Sequence, residues 1–355
     1  MIKHDFAFIV HSRGRSDLPR KYPILKYCPK VVFDWLTLIL PPIKVSTITG
    51  AIDYNSGKEL KGLIIGIPMT AHQLLENREL ALKKIRDAVI MAKSNGAKYI
   101  GLGAMTASLS HGGKKIISHI PDVYLTTGRT YTVKNITDYI LYVTDTLKLD
   151  KNIIRIAIVG AAGGIGSGVA ISLARNNFKK ITLIDLERKL DNVKKKIADI
   201  ERRASDLDIK VDHKLSAIYE CKIVIAATNS PEIVIRSGDV SPGTIIINDA
   251  QPSDIDPEII INRKDVLVIE GGVLHTSDIN CHFNLGLKHK NDIFSCLAEV
   301  IILASNNEAG HFSIDDFDTK LYDRLSTLAL RAGFSMCMQN DYEIIENQRL
   351  ISCIK

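Results

Sequence analysis

The 355 residues contain six cysteines, Cys28, Cys221, Cys281, Cys296, Cys337 and Cys353, and no two of them form a CxxC pair. That scatter suggests neither a zinc site nor a disulfide framework, so no metal is expected. Low-complexity tracts and internal repeats are absent, which excludes a solenoid and a chiefly disordered chain. No apolar run reaches the roughly 20 residues that span a bilayer. Nucleic-acid-binding motifs are lacking, and the net charge of +6 is only mildly basic. The start, MIKHDFAFIV, is too short and too interrupted for a signal peptide, and FAFIV reads better as a first strand. These absences lead to the expectation of a reducing, cytoplasmic setting in which thiols remain available for chemistry.

What is present is an ordinary globular composition, with 46% hydrophobic and 24% charged residues. The length suggests two or three domains. Residues 1–150 read as a mixed α/β domain suited to holding a substrate. Strands are expected at DFAFIVH, KVSTITGAID and LKGLIIGIPM, and a long helix at NRELALKKIRDAVIMAKSNG. From 151 to 276 strands alternate with helices, and the strands are continuous Val/Ile runs of the kind a parallel sheet buried on both faces requires. This predicts a central Rossmann domain with a doubly wound parallel sheet. Residues 277–355 are expected to form a helical segment that packs back on the first domain.

The turn VGAAGGIG follows one of the apolar strands and opens a small-residue helix. Gly160 permits the tight turn, Gly163 or Gly164 lets backbone approach a pyrophosphate, and Gly166 lets helix and sheet pack closely. Ile165 lies in the same turn, where the helix N-terminus offers free N–H groups to phosphates. Asp185 ends the next strand, 19 residues beyond Gly166, where a carboxylate can bond ribose hydroxyls. Thr228 closes the strand KIVIAAT and completes the cofactor set. The cofactor is read as NAD(P)H. Asp185 tips the choice slightly towards NADH, while Arg188 and Lys189 beside it could accept a 2′-phosphate and keep NADPH open.

Two apolar stretches admit two readings each. In NDIFSCLAEVIILA, residues 291–304, Cys296 shares a helical face with Ile293, Leu297, Val300 and Ile301, so it is either core filling or a nucleophile. VVFDWLTLILPP, residues 31–42, holds the only Trp. It reads first as a buried helix and second as an apolar surface that meets a lipid, which leaves a peripheral membrane contact open. Basic residues cluster in HSRGRSDLPRKYPILKYCPK and in VKKKIADIERR, the latter a solvated helix face.

Taken together, FAFIVHSRGRSDLPRKYP, IGLGAMTAS, TTGRTYTV (126–133), VGAAGGIGS (159–167), EGGVLH (270–275), DIFSCLAEVIILA (292–304) and RAGF (331–334) are specific in order and spacing. The chain resembles the aldehyde-forming long-chain acyl-(acyl-carrier-protein) reductases of cyanobacteria and their bacterial relatives over nearly its whole length. The resemblance implies an acyl-enzyme at Cys296, hydride delivery from a nicotinamide and release of a fatty aldehyde. The acyl donor would be acyl-carrier protein or acyl-CoA. Asp185 departs from the family, whose cyanobacterial members carry a basic residue there.

A helix capped by Asn291 or Asp292 would put Cys296 within about two turns of a positive helix end, which favours a thiolate. Cys281 is the rival thiol. His275, expected at the end of the sixth Rossmann strand, is the candidate acid or base; the alternative is a loop histidine bonded to backbone. His11 is a weaker candidate. Thr127, Thr130 and Tyr131 would line the nicotinamide or an oxyanion, or else cap a helix. Two other functions remain in view. One is a hydride-transfer enzyme like shikimate or methylene-tetrahydrofolate dehydrogenase, and the other is a non-catalytic NAD(P)-binding sensor.

Overall fold

The computed structural model describes residues 3–201, 206–289 and 291–353. Met1 and Ile2 of the first decapeptide, and Arg202 and Arg203 of the basic run VKKKIADIERR, lie outside the described residues. The chain divides into two compact units. The first comprises Met1–Tyr131 and Leu274–Ser335, the second Thr132–Val273 and Met336–Lys355. This division differs from boundaries at 150 and 276. The helix that starts at Arg129 belongs to the second unit from Thr132 onward, and most of the segment after residue 276 completes the core of the first.

The first unit begins with β1 (Phe6–Ser12), β2 (Ile43–Ile52), β3 (Glu59–Thr70), β4 (Tyr99–Leu102) and β5 (Tyr124–Thr126), in the spatial order β2-β3-β1-β4-β5. β2 pairs antiparallel with β3, and the other pairings are parallel. Side chains of β1 alternate between two cores, as strand geometry demands. Ala7 and Ile9 meet one, shared with Ile85, Ala88 and Val89 of the helix Arg78–Ser94, while Phe6 and Phe8 meet the other. Helix α1 (Lys30–Ile39) buries only Phe33 and Thr37. The expected burial of this helix therefore fails over most of its surface: its apolar residues recur on two opposite faces, and one face can pack inward.

α2 (Arg78–Ser94) is followed by α3 (Arg129–Thr146), which leads into the second unit. Here β6 (Arg155–Val159), β7 (Lys180–Ile184), β8 (Asp208–Asp212), β9 (Ile223–Ala226), β10 (Ile245–Asn248) and β11 (Leu267–Glu270) form one sheet in the order β11-β10-β9-β6-β7-β8. Every pairing is parallel. Counted from β6, the order is 3-2-1-4-5-6 read from the β8 edge, the dinucleotide-binding arrangement. α4 (Gly164–Arg175) rises directly from the glycine-rich turn.

On its return to the first unit the chain adds β12 (Val273–Thr276), β13 (Asp292–Phe294) and α5 (Ser295–Ser305), then α6 (Thr319–Arg331) and β14 (Phe334–Met336). These strands form a small sheet in the order β13-β12-β14. Two sequence expectations change here. His275 does not end a Rossmann strand, because β11 stops at Glu270 and His275 lies on β12. The helix of Cys296 starts at Ser295 and is not capped by Asn291 or Asp292; Phe294 takes the cap position without a side-chain bond. Asn291 has φ +67°, outside the helical region, and its carbonyl accepts the Thr276 N–H at 2.9 Å, which draws the following residues into strand pairing. No helix among the described residues is long and apolar enough to cross a membrane.

Candidate active site and nucleotide site

Helix α5 is apolar nearly all round, the pattern of a helix enclosed by its domain. Leu297, Val300 and Ile301 pack with Phe8, Ile48 and Tyr99 of the sheet. A Cβ on Gly101 of β4 would come within 3.1 Å of Val300 Cγ1, so glycine there admits the helix at short range. Ten of the eleven residues of α5 are buried, and Cys296 is the exception. It is the second residue of the helix, in the first turn, where the positive end of the helix dipole favours an anion. Cys296 is partly buried and packs against the same core, whereas Leu297 and Val300 lie fully within it.

The loop TTG lies against this turn. Gly128 has φ +70°, and a Cβ built on it would fall 2.3 Å from both Cα and Cβ of Cys296. Only glycine fits both the backbone angle and the space. The loop is fastened by Glu299, one turn further along α5 and completely buried. Its carboxyl accepts the Thr126 hydroxyl, the Ser313 hydroxyl at 2.7 Å and the Tyr131 backbone N–H at 2.7 Å. Thr126 in turn accepts the Gly128 N–H at 3.2 Å. Thr130 joins the same cluster through Ser313 at 2.6 Å, and Thr127 donates to the Ser313 carbonyl at 2.5 Å. Thr127, Thr130 and Tyr131 are thus all buried and engaged in holding the loop.

Burial raises the Glu299 carboxyl above its usual range, even though these three donors pull the other way. The folded protein therefore holds the proton more tightly than the unfolded chain does. The stability this contributes is fully present below the unfolded value of 4.5 and is lost as the pH rises through the folded one. Glu299→Gln should keep the fold and flatten the fall in melting temperature above that pH, relative to wild type. Glu299→Ala should cost about 2–4 kcal/mol at acidic pH, because it opens a cavity and leaves buried donors unpaired, and the cost should shrink as the pH rises. Parallel pH–stability curves for wild type and Glu299→Gln would show that folding leaves the proton affinity of Glu299 unchanged and would overturn this reading. Glu299 was missed in the sequence, although it stands as the one charge in the run CLAEVIILA.

His275 Nδ1 lies 3.5 Å from Asp292 Oδ1, with the carboxylate side chain 2% exposed and the imidazole 43%. Asp292 opens β13, and Cys296 follows four residues later. The imidazole thus has one nitrogen beside a buried carboxylate and is itself partly exposed. Burial raises the Cys281 thiol to about 12, which disfavours it as a rival. His11 is also buried, bonds Ser12 O at 2.9 Å and has its pKa lowered chiefly by that burial.

In the second unit the glycine turn has the close approaches expected of it. A Cβ on Gly160, at φ +92°, would meet Ala227 O at 2.4 Å, and one on Gly166 would meet Gly160 O at 2.4 Å. Gly163 takes the cap position of α4, with Gly164 and Ile165 in its first turn. Asp185 Oδ2 accepts the Ala162 N–H and Oδ1 the Leu186 N–H, each at 2.8 Å, so the carboxylate also braces the turn. Lys189 Nζ stands 3.5 Å from Asp185, and Arg188 is exposed. Thr228 donates to Asp254 Oδ2 at 2.5 Å. Sequence reasoning missed the carboxyls beyond β10 and β11: burial, with Glu270 and Asp254 nearby, raises Asp249 well above the carboxylate range. Such grouping is set by the parallel order of the strands and leaves no local pattern. The cradle of close glycine contacts, the open helix end and Asp185 together fit a dinucleotide.

The sequence profile of shikimate/quinate 5-dehydrogenases matches residues 145–270. An aminotransferase, PigE, of a Serratia species is 25% identical over 320 residues, covering 88% of this chain and 36% of its own length. The chain thus spans about a third of that relative. A long-chain acyl-[acyl-carrier-protein] reductase of Synechococcus elongatus is 23% identical over 311 residues, covering 84% of this chain and 87% of its own. Among solved structures, shikimate 5-dehydrogenase of Listeria monocytogenes, in complex with shikimate and NAD, has 11% identity and a TM-score of 0.39, covering 85% of this chain and 90% of its own. The profile match, the strand order and the glycine turn together mark the second unit as a Rossmann-type dinucleotide-binding domain similar to that of shikimate/quinate 5-dehydrogenases.

Proposed function

We propose that the protein reduces a long-chain acyl thioester, carried by acyl-carrier protein or coenzyme A, to a fatty aldehyde through an acyl-Cys296 intermediate. The observation that carries this reading is the accessible cysteine in the first turn of an otherwise buried helix, with Gly128 packed on its backbone. The similarity to the Synechococcus reductase over most of both chains supports it.

The Cys296 thiolate attacks the thioester carbonyl. The tetrahedral adduct collapses, expels the carrier thiolate and leaves a thioester on Cys296, an exchange between bonds of equal activation. His275, steadied by Asp292, supplies the proton that the departing thiolate takes up. A bound nicotinamide supplies the hydride that reduces the acyl carbon. The hemithioacetal left on Cys296 then loses its hydroxyl proton, expels the cysteine thiolate and releases the aldehyde. Each turnover consumes one thioester, one reduced nicotinamide and one proton. Asp185 favours NADH, since its carboxylate repels a 2′-phosphate.

Incubation with palmitoyl thioesters of both carriers and either reduced nicotinamide tests the proposal. Aldehyde, trapped as its oxime by hydroxylamine, should appear before any alcohol. Alcohol from the first turnovers without trappable aldehyde contradicts the mechanism. Turnover confined to a cyclic hydroxy acid replaces the reading with a shikimate dehydrogenase-like one.

A further inference from the structure

Among the described residues, seven of the eighteen exposed large apolar side chains fall between Tyr22 and Ile39. On α1, Val31, Trp35 and Ile39 stand at four-residue intervals, 80%, 58% and 54% exposed, and so form one outward stripe. Phe33 and Thr37 anchor the opposite face. The preceding turn adds Ile24 and Tyr27, at 79% and 87% exposure. Scattered apolar side chains at a surface are ordinary, but a contiguous row of this kind marks an interaction site.

The charge around the stripe indicates the occupant. Residues 13–30 hold six basic side chains and one acidic one, Asp17, and Asp34 is the only acid on α1. Asp17 is held by Arg13 and Arg20, at 3.4 Å each. A row of aliphatic side chains with Trp and Tyr among them, bordered by lysines and arginines, matches the chemistry of a bilayer interface: acyl chains below, anionic headgroups beside them. We propose that α1 and the turn before it form a docking surface for anionic lipid, lying in the interface without crossing it. This inference is independent of the acyl-reductase reading, since it uses none of the residues of either candidate site.

The single tryptophan makes the test direct, because all tryptophan fluorescence reports on Trp35. Adding vesicles of phosphatidylcholine mixed with phosphatidylglycerol to the full chain should shift the emission to the blue. Brominated acyl chains in the same vesicles should quench it. Vesicles of phosphatidylcholine alone should bind more weakly. Lys26→Glu and Lys30→Glu should each weaken binding about fivefold or more, and Val31→Asp by roughly tenfold or more. Each change lies at an exposed position, and the wild-type spectrum decides the matter without the variants. An unchanged spectrum with both vesicle types overturns the proposal. So does a shift that follows protein concentration without lipid, which assigns the stripe to a second copy. A shift produced only by an acidic carrier protein overturns it as well and assigns the stripe to that protein.

Discussion

Intact-mass measurement after incubation with a palmitoyl thioester and no nicotinamide should show the palmitoyl adduct on wild type and none on Cys296→Ala. Without reduced nicotinamide the acyl group has no reductive exit, so the adduct accumulates. Removing a covalent nucleophile leaves only binding and polar stabilisation, and aldehyde formation should fall by at least about a thousandfold. Cys296→Ser should fall comparably, because a hydroxyl at this position is far less ionised and its ester is a poorer acyl donor. Cys281→Ala should retain the adduct, since burial leaves the Cys281 thiol protonated near neutral pH. An undiminished adduct on Cys296→Ala would falsify the assignment and turn attention to Cys281 despite that burial.

The second large effect concerns a residue with no reactive atom. Gly128→Ala should destabilise the protein by about 3 kcal/mol or more and slow adduct formation at Cys296 in whatever folded protein remains. Two causes combine, and a second glycine separates them. Gly57 has the same φ of +70° but nothing within 4 Å of where a Cβ would stand. Gly57→Ala should therefore cost only the backbone strain, about 1 kcal/mol. The Cβ of Gly128→Ala would in addition overlap the backbone of Cys296, and neither α5 nor the loop pinned by Glu299 can move aside cheaply. Denaturant unfolding of the two variants tests this. Equal costs would mean that the contact relaxes and that only the left-handed angle matters.

Much of this was legible in the sequence. Periodicity in RELALKKIRDAVIMAKS marked α2, and the Val/Ile runs marked a parallel sheet, because burial on both faces permits no alternation. The strand–turn–helix context of VGAAGGIG revealed the nucleotide cradle, since backbone demands on glycine are local. The position of Cys296 in the first turn was read only approximately. The apolar pattern extends back to Ile293, but pairing of β13 with β12, a long-range bond, keeps Ile293 in a strand and delays the helix start to Ser295.

Local chemistry thus determined the sheet type, the glycine turn, the acid at Asp185 and the candidate thiol, because each depends on spacing within one element. Tertiary structure alone decided the rest. It set Gly128 against Cys296 across 168 residues of chain, buried Glu299 under three donors, moved His275 from the Rossmann sheet to a strand beside Asp292, and left one face of α1 uncovered. These features depend on which distant segments meet and on how much water they exclude. A single sequence records the residues able to take part in such meetings, but the pairing itself arises only when the chain closes on its cores.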